Sequence, residues 1–159
     1  MIQVFDSWAG ELSPSSFKEF ALPYLLYICD HLPNRLKELK QEVVPMTVFA
    51  KGAWYAMDDL CKSNYNTIGL DWLHDPAEAF KQAQAAGKVL QGNADPGCLY
   101  GGKESITKVV KEMVTGFEGG KQGWITNLGH GVTPFVKPDD LRHFFEEVVK
   151  YSKEYKQSL

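Results

Sequence analysis

A chain of 159 residues with 44% hydrophobic and 23% charged positions has the make-up of one soluble globular domain with its own core. Its formal net charge of -3 offers no basic surface for nucleic acid or for an anionic membrane. No apolar run approaches the roughly 18 residues that a membrane span requires, and no charged-then-apolar leader supports secretion.

In chain order, short apolar runs alternate with segments of helical period. The first strand is expected over Ile2–Ser7. A helical region follows from about Ser15 to Lys40, with Phe17, Phe20, Leu25, Ile28, Leu32, Leu36 and Leu39 as its apolar stripe. Pro23 and Pro33 are expected to split or bend it. A strand over Val44–Ala50 and a helix over Ala53–Lys62 come next, then a strand over Thr67–Trp72. The third helix opens at Asp75, which can cap; Pro76 suits the first helical position and Glu78 completes the spacing of a capping box. A strand over Val89–Asp95 precedes a helix over Lys103–Val114, with Ile106, Val109, Val110 and Met113 on one side. The last strand covers Gly123–Gly131. The last helix runs from Lys137 to Tyr155, opened by Pro138 with Asp139 and Asp140 in its first turn, and Leu141, Phe144, Phe145, Val148 and Val149 form its expected inner face.

Five βα repeats imply a parallel α/β sheet. An open doubly wound sheet gathers its polar strand ends at one switch point. Here every strand ends in small or polar residues, as at the active-site face of a (β/α)8 barrel. No GxGxxG follows the first strand and no GxxxxGK[ST] occurs. A complete barrel takes about 250 residues, roughly 31 per unit. The chain is therefore expected to form an incomplete barrel of about five units, strands 4–8, within a single domain spanning 1–159. A strand beginning directly at Met1 reads as an internal position of a longer protein. Open sheet edges in such a fragment are expected to promote association.

Cys29, Cys61 and Cys98 are odd in number and lie far apart, with no CxxC pair. They read as reduced, buried thiols of a cytoplasmic protein, with no disulfide framework and no zinc site. In "WITNLGHGVTP", by contrast, His130 stands between two glycines at a strand end. Glycine on both sides permits unusual backbone angles and a close approach, and an imidazole there can carry charge toward a carboxylate or pass a proton. His31, His74 and His143 lie in or beside helical segments and read as surface or packing residues. Asp58-Asp59 and the terminal "KYSKEYKQSL" read as solvated. No Ser/His/Asp order or GxSxG elbow supports a nucleophile.

With "QVFDSWAGELSP", "VPMTVFAKG", "GLDW", "LQGNADP" and "NLGHGVTP" in this order, the whole chain resembles the C-terminal part of the uroporphyrinogen decarboxylase family. The resemblance implies a (β/α)8 barrel, a cytoplasmic homodimer with facing clefts, and removal of CO2 from the four acetate side chains of uroporphyrinogen to give coproporphyrinogen. It implies no metal and no organic cofactor; the pyrrole ring itself is the electron sink. Ser7 matches a serine that hydrogen-bonds a substrate carboxylate, and Phe5 a phenylalanine that lines the cleft. His130 matches a histidine that contacts a substrate carboxylate and is a candidate for proton transfer. Trp8 stands where some members have histidine and receives no role. Asp71, Asn93 and Asp95 lie at strand ends without an assigned contact. The family's central aspartate, its carboxylate-binding arginines and a cleft tyrosine belong to the N-terminal part, which this chain lacks. The chain is accordingly expected to be inactive alone, a fragment or half-barrel needing a complementary N-terminal chain. Zinc-binding methyltransferases of the same superfamily carry a His-x-Cys element, which does not occur here.

Overall fold

The computed structural model describes residues 1–121 and 123–158. Five strands, β1 (Ile2–Asp6), β2 (Met46–Ala50), β3 (Thr67–Gly69), β4 (Val89–Ala94) and β5 (Trp124–Leu128), pair in sequential order. All four pairings are parallel. Right-handed crossovers that always step in the same direction keep the helices on one face of the sheet, whereas a doubly wound sheet must reverse. The fold is an arc of a (β/α) barrel.

The connecting helices are α1 (Pro14–Phe20), α2 (Leu22–Glu38), α3 (Met57–Cys61), α4 (Pro76–Ala85), α5 (Gly102–Gly116) and α6 (Pro138–Gln157). Ser13 caps α1, its Oγ accepting from the Ser16 N–H at 3.2 Å. The long first helical region divides at Ala21, which places Pro23 in the first turn of α2, where its missing N–H leaves nothing unpaired. Pro33 does not interrupt α2, which continues to Glu38. Asp75 caps α4, with Oδ1 accepting from the Glu78 N–H at 2.9 Å.

Strand residues of alternate parity meet these helices. Met46, Val48, Ile68, Leu70 and Leu90 are buried with Phe17, Cys29, Ile106, Val110 and Phe144. Each such side chain stabilises the fold by about 1.5–3 kcal/mol. The opposite parity, including Phe5, Phe49, Gly69 and Gln91, faces the barrel interior.

Several expectations need correction. On α6, Phe144 and Val148 are buried, but Phe145 and Val149 are 52% and 54% exposed. The inner face is narrower because α6 packs against α5 and no described helix covers its other flank. The buried place is taken by Glu147, whose carboxylate accepts from Thr107 Oγ1 at 2.7 Å. Cys98 is only half-buried. Asp58 is solvated as expected and pairs on the surface with Lys62, whereas Asp59 is half-buried and pairs with Lys18. Within the terminal "KYSKEYKQSL", Tyr151 and Tyr155 pack on the core, and Leu159 lies outside the described residues.

The C-terminal ends of the strands are joined through Asp71, just past β3. Its buried carboxylate accepts from the N–H of Gly52 after β2, from the N–H of Leu73 at 3.0 Å and from His74 Nδ1 at 3.2 Å. Its backbone carbonyl accepts from Asn93 Nδ2 of β4 at 3.1 Å, and the same amide reaches the His74 carbonyl at 2.8 Å. Gly52, at φ 80°, lies so close to Gly10 of the β1–α1 connection that a Cβ on Gly10 would stand 2.6 Å from Gly52 Cα. The Gly10 N–H donates to the Lys51 carbonyl at 2.8 Å. Tyr55 adds a second tie, its hydroxyl donating to the Leu12 carbonyl at 2.8 Å. Burial opposes charge on Asp71, but His74 and the two backbone N–H donors outweigh it and hold the carboxyl below its ordinary pKa.

Two outcomes follow from these features. Among the described residues the edges of β1 and β5 are unpaired and a flank of α6 is apolar and exposed, so the chain is expected to self-associate: its light-scattering mass should rise with concentration, and Phe145→Lys with Val149→Lys should reduce the rise; a monomeric, cooperative melt of the parent chain would count against this. Asp71→Asn is expected to lower stability by about 1–3 kcal/mol at neutral pH. Because the folded-state pKa of Asp71 is depressed, its contribution is present above the unfolded value near about 3.9 and is lost as pH falls through the folded value. Melting temperatures of parent and variant should therefore converge on acidification below about pH 4.

Candidate active site

Phe5 of β1 and His130, two residues past β5, line one cavity of about 290 Å³. Phe49 of β2 stands between the outer strands, its ring edge-on to Phe5 with centroids 6.1 Å apart and planes at 78°. Gly69 of β3 makes room for that ring: a Cβ there would lie 3.0 Å from Phe49 Cδ2. Gln3 of β1, Gln91 of β4 and Asn127 of β5 complete the polar part of the lining. No lysine or arginine is among the lining residues, so His130 is the group there that can carry positive charge.

The segment that presents His130 is built from its neighbours. The Gly129 N–H donates to the Ala94 carbonyl of β4 at 2.6 Å. A Cβ on Gly129 would stand 2.9 Å from both Asp71 Cα and Trp72 N. This glycine is required by the protein's own β3–α4 connection, not by an approaching ligand. Gly131 faces open space. Neither glycine has a left-handed φ, so the expectation of unusual backbone angles does not hold. Thr133, three residues on, hydrogen-bonds the Tyr100 hydroxyl across the β4–α5 connection. Between these anchors the His130 ring is exposed, and it has no hydrogen-bond partner among the described residues.

Ser7 is not brought into this group. It lies in the turn after β1, half-buried, outside the cavity lining. Trp8 is 75% exposed. His74, which read as a surface or packing residue, is the positioning partner of Asp71. Sequence reasoning gave Gln91 and Asn127 no role; the signal available was their period-two spacing with Asn93 and Gly129 on inward strand positions. A larger cavity of about 640 Å³ between the start of α4 and α5, lined among others by His74, Asp75, Asp95, Lys111 and Glu112, shares no lining residue with the first.

The thiols are unsuited to chemistry. Burial pushes Cys29 and Cys61 up, and burial with the nearby Asp95 charge takes Cys98 to about 11. Among the described residues no group of three or more His, Cys, Asp or Glu is placed to hold a metal ion. No helix of the described residues is long and apolar enough to cross a membrane.

The family model "Uroporphyrinogen decarboxylase (URO-D)" matches residues 1–151. The uroporphyrinogen decarboxylase of Schizosaccharomyces pombe is 54% identical over 151 residues, 95% of this chain and 42% of that protein. That of Danio rerio is 46% identical, covering 96% of this chain and 41% of the relative. That of Homo sapiens is 38% identical, covering 99% and 42%. The chain thus spans about two-fifths of the length of the curated relatives it matches. A solved methyltransferase from Methanosarcina mazei superposes with TM-score 0.71 at 14% identity, over 94% of this chain and 42% of that one, which shows the shared fold. With the family model matching from the first strand into the last helix, the chain belongs to the uroporphyrinogen decarboxylase family.

Proposed function

We propose that this chain forms one wall of a uroporphyrinogen decarboxylase active site and supplies part of the machinery that converts uroporphyrinogen to coproporphyrinogen. The observation that carries the reading is the meeting of Phe5 and His130 in one cavity at the strand ends. In each of four steps an acetate CH2–COO⁻ becomes CH3. Protonation of the ring carbon next to the one bearing the acetate makes the ring an electron sink, conjugated to the carbon that carries the CH2–COO⁻. The C–COO⁻ bond breaks and CO2 leaves. Its electron pair neutralises the ring, and a second proton delivered to the exocyclic carbon restores the pyrrole after the first is lost.

In this scheme Phe5 gives an apolar surface that excludes water from the ring. His130 holds a departing carboxylate or moves a proton. Ser7 hydrogen-bonds a further carboxylate once the cleft is complete around it. A substrate with eight carboxylates needs more cationic partners than this wall has, because no arginine or lysine lines it. The anchoring aspartate and arginines implied by the family lie in a complementary N-terminal segment. The exposed flank of α6 and the open edges of β1 and β5 are the surfaces that such a segment would cover. The same reading carries a cytoplasmic homodimer with facing clefts.

The direct experiment is CO2 release from anaerobically prepared uroporphyrinogen, with this chain alone and with an N-terminal segment supplied in trans. Turnover is expected only in the mixture; turnover by the chain alone would overturn the assigned division of labour. In the active mixture His130→Ala should lower kcat/KM by about 10²–10⁴-fold if the imidazole moves protons. His130→Gln separates the roles: lost kcat marks proton transfer, and raised KM with kcat retained marks carboxylate binding.

A further inference from the structure

Four polar side chains, Gln3, Gln91, Asn127 and His130, line the cavity shared with Phe5, and no carboxylate is among its lining residues. They differ in what they can offer a ligand. Gln3 is the second residue of β1, at the N-terminal end of the sheet, whereas the active sites of barrels lie at the C-terminal strand ends. The Gln91 side-chain oxygen is closed off by its surroundings. Asn127 is the last residue but one of β5 and is exposed, and its side chain makes no hydrogen bond among the described residues. Its register partner on β4, Asn93, is buried and donates to the carbonyls of Asp71 and His74. The same side chain thus occurs twice in one row across the sheet, once absorbed by the scaffold and once with its N–H donors free.

We propose that Asn127 is a further substrate-contacting residue, its Nδ2 donating to the carboxylate of the acetate arm that is about to lose CO2; this rests on the decarboxylase reading above. Among the substrate's carboxylates the reacting one makes a demand of its own. Its negative charge leaves it as the C–COO⁻ bond breaks, so a group that binds the anion more tightly than the departing CO2 raises the barrier. A lysine or arginine makes the stronger, charge-assisted bond and would hold the reactant back. A neutral amide orients the carboxylate with less of that penalty. The lining has the required character: an amide donor near the strand ends, no lysine or arginine, and in the same cavity the apolar corner of Phe5 and Phe49 to receive neutral CO2. The propionates keep their charge throughout, and fixed cations elsewhere in the cleft suit them. With the reacting carboxylate on Asn127, the His130 imidazole is left for the proton.

The test is the initial rate of CO2 release from uroporphyrinogen by the mixture with the N-terminal segment, together with its inhibition by coproporphyrinogen, which keeps the propionates but has no acetate. Asn127→Leu should lower kcat/KM by about 10–100-fold, the loss of a hydrogen bond to a charged group, and leave the inhibition constant of coproporphyrinogen within about twofold. Asn127→Lys, which keeps a donor but adds a fixed cation, should lower KM and lower kcat by about tenfold, because the reactant is held more tightly than the departing CO2. The position is exposed, so these variants should melt close to the parent; Asn127→Ala serves as a second deletion of the amide. An unchanged kcat/KM in Asn127→Leu and Asn127→Ala overturns the role of Asn127, as does an inhibition constant that rises as far as kcat/KM falls, or a raised kcat in Asn127→Lys. Each of these leaves the decarboxylase reading standing. No turnover by the parent mixture overturns that reading and this one with it.

Discussion

The Asp71 carboxylate is the point from which the functional end of this sheet is organised. It takes the Gly52 N–H from the second unit and the His74 imidazole and Leu73 N–H from its own. Its backbone receives the Asn93 amide of the fourth unit, and its Cα is the surface against which Gly129 of the fifth is packed. The first unit joins at one remove, through the contact of Gly10 with Gly52. A parallel sheet contributes hydrogen bonds between strands but none between the loops that leave them. Here a single buried anion with backbone donors supplies that missing connection, and charge-assisted hydrogen bonds are strong enough to offset its burial.

The wall so assembled is apolar, with polar groups placed sparsely on it. Phe5 and Phe49 form an aromatic corner, and Gly69 is small so that the corner can close. His130 sits opposite on a segment whose own hydrogen bonds do not use the imidazole. Such a surface suits the pyrrole rings of a large macrocycle more than a small anion. It has no permanent cation of its own to balance a polyacid. The division is consistent with a site made by two parts of a longer fold: one part presents ring-binding surface and a titratable group, and another brings fixed charge.

Much of this was legible in the sequence, because alternation and strand ends are local signals. Five strands in sequential parallel order follow from the five βα repeats, and the helix starts at Pro76 and Pro138 follow from capping and proline chemistry. Pairwise contacts across units were less legible. The glycines beside His130 suggest a ligand when read alone, yet Gly129 answers to Asp71 and Trp72, which lie 58 and 57 residues earlier in the chain. Phe145 and Val149 continue the apolar pattern of α6, but periodicity cannot tell which flank of a helix has a neighbour. Ser7 and Phe5 are two residues apart, and only Phe5 faces the cavity, because β1 ends at Asp6 and the strand alternation ends with it.

The segment from Gly129 to Thr133 is hydrogen-bonded at both ends to the fourth unit. Its start is bonded to Ala94 at the end of β4, and its far end meets Tyr100 in the turn before α5. His130 therefore rides on the fourth unit, although it follows the fifth strand in sequence. Breathing at the open side of β5 is decoupled from the position of the imidazole, since local opening runs through the weakest contacts and these lie on the other side of the strand. A macrocycle arriving at His130 would meet a loop already ordered, and little conformational entropy would be lost in fixing it.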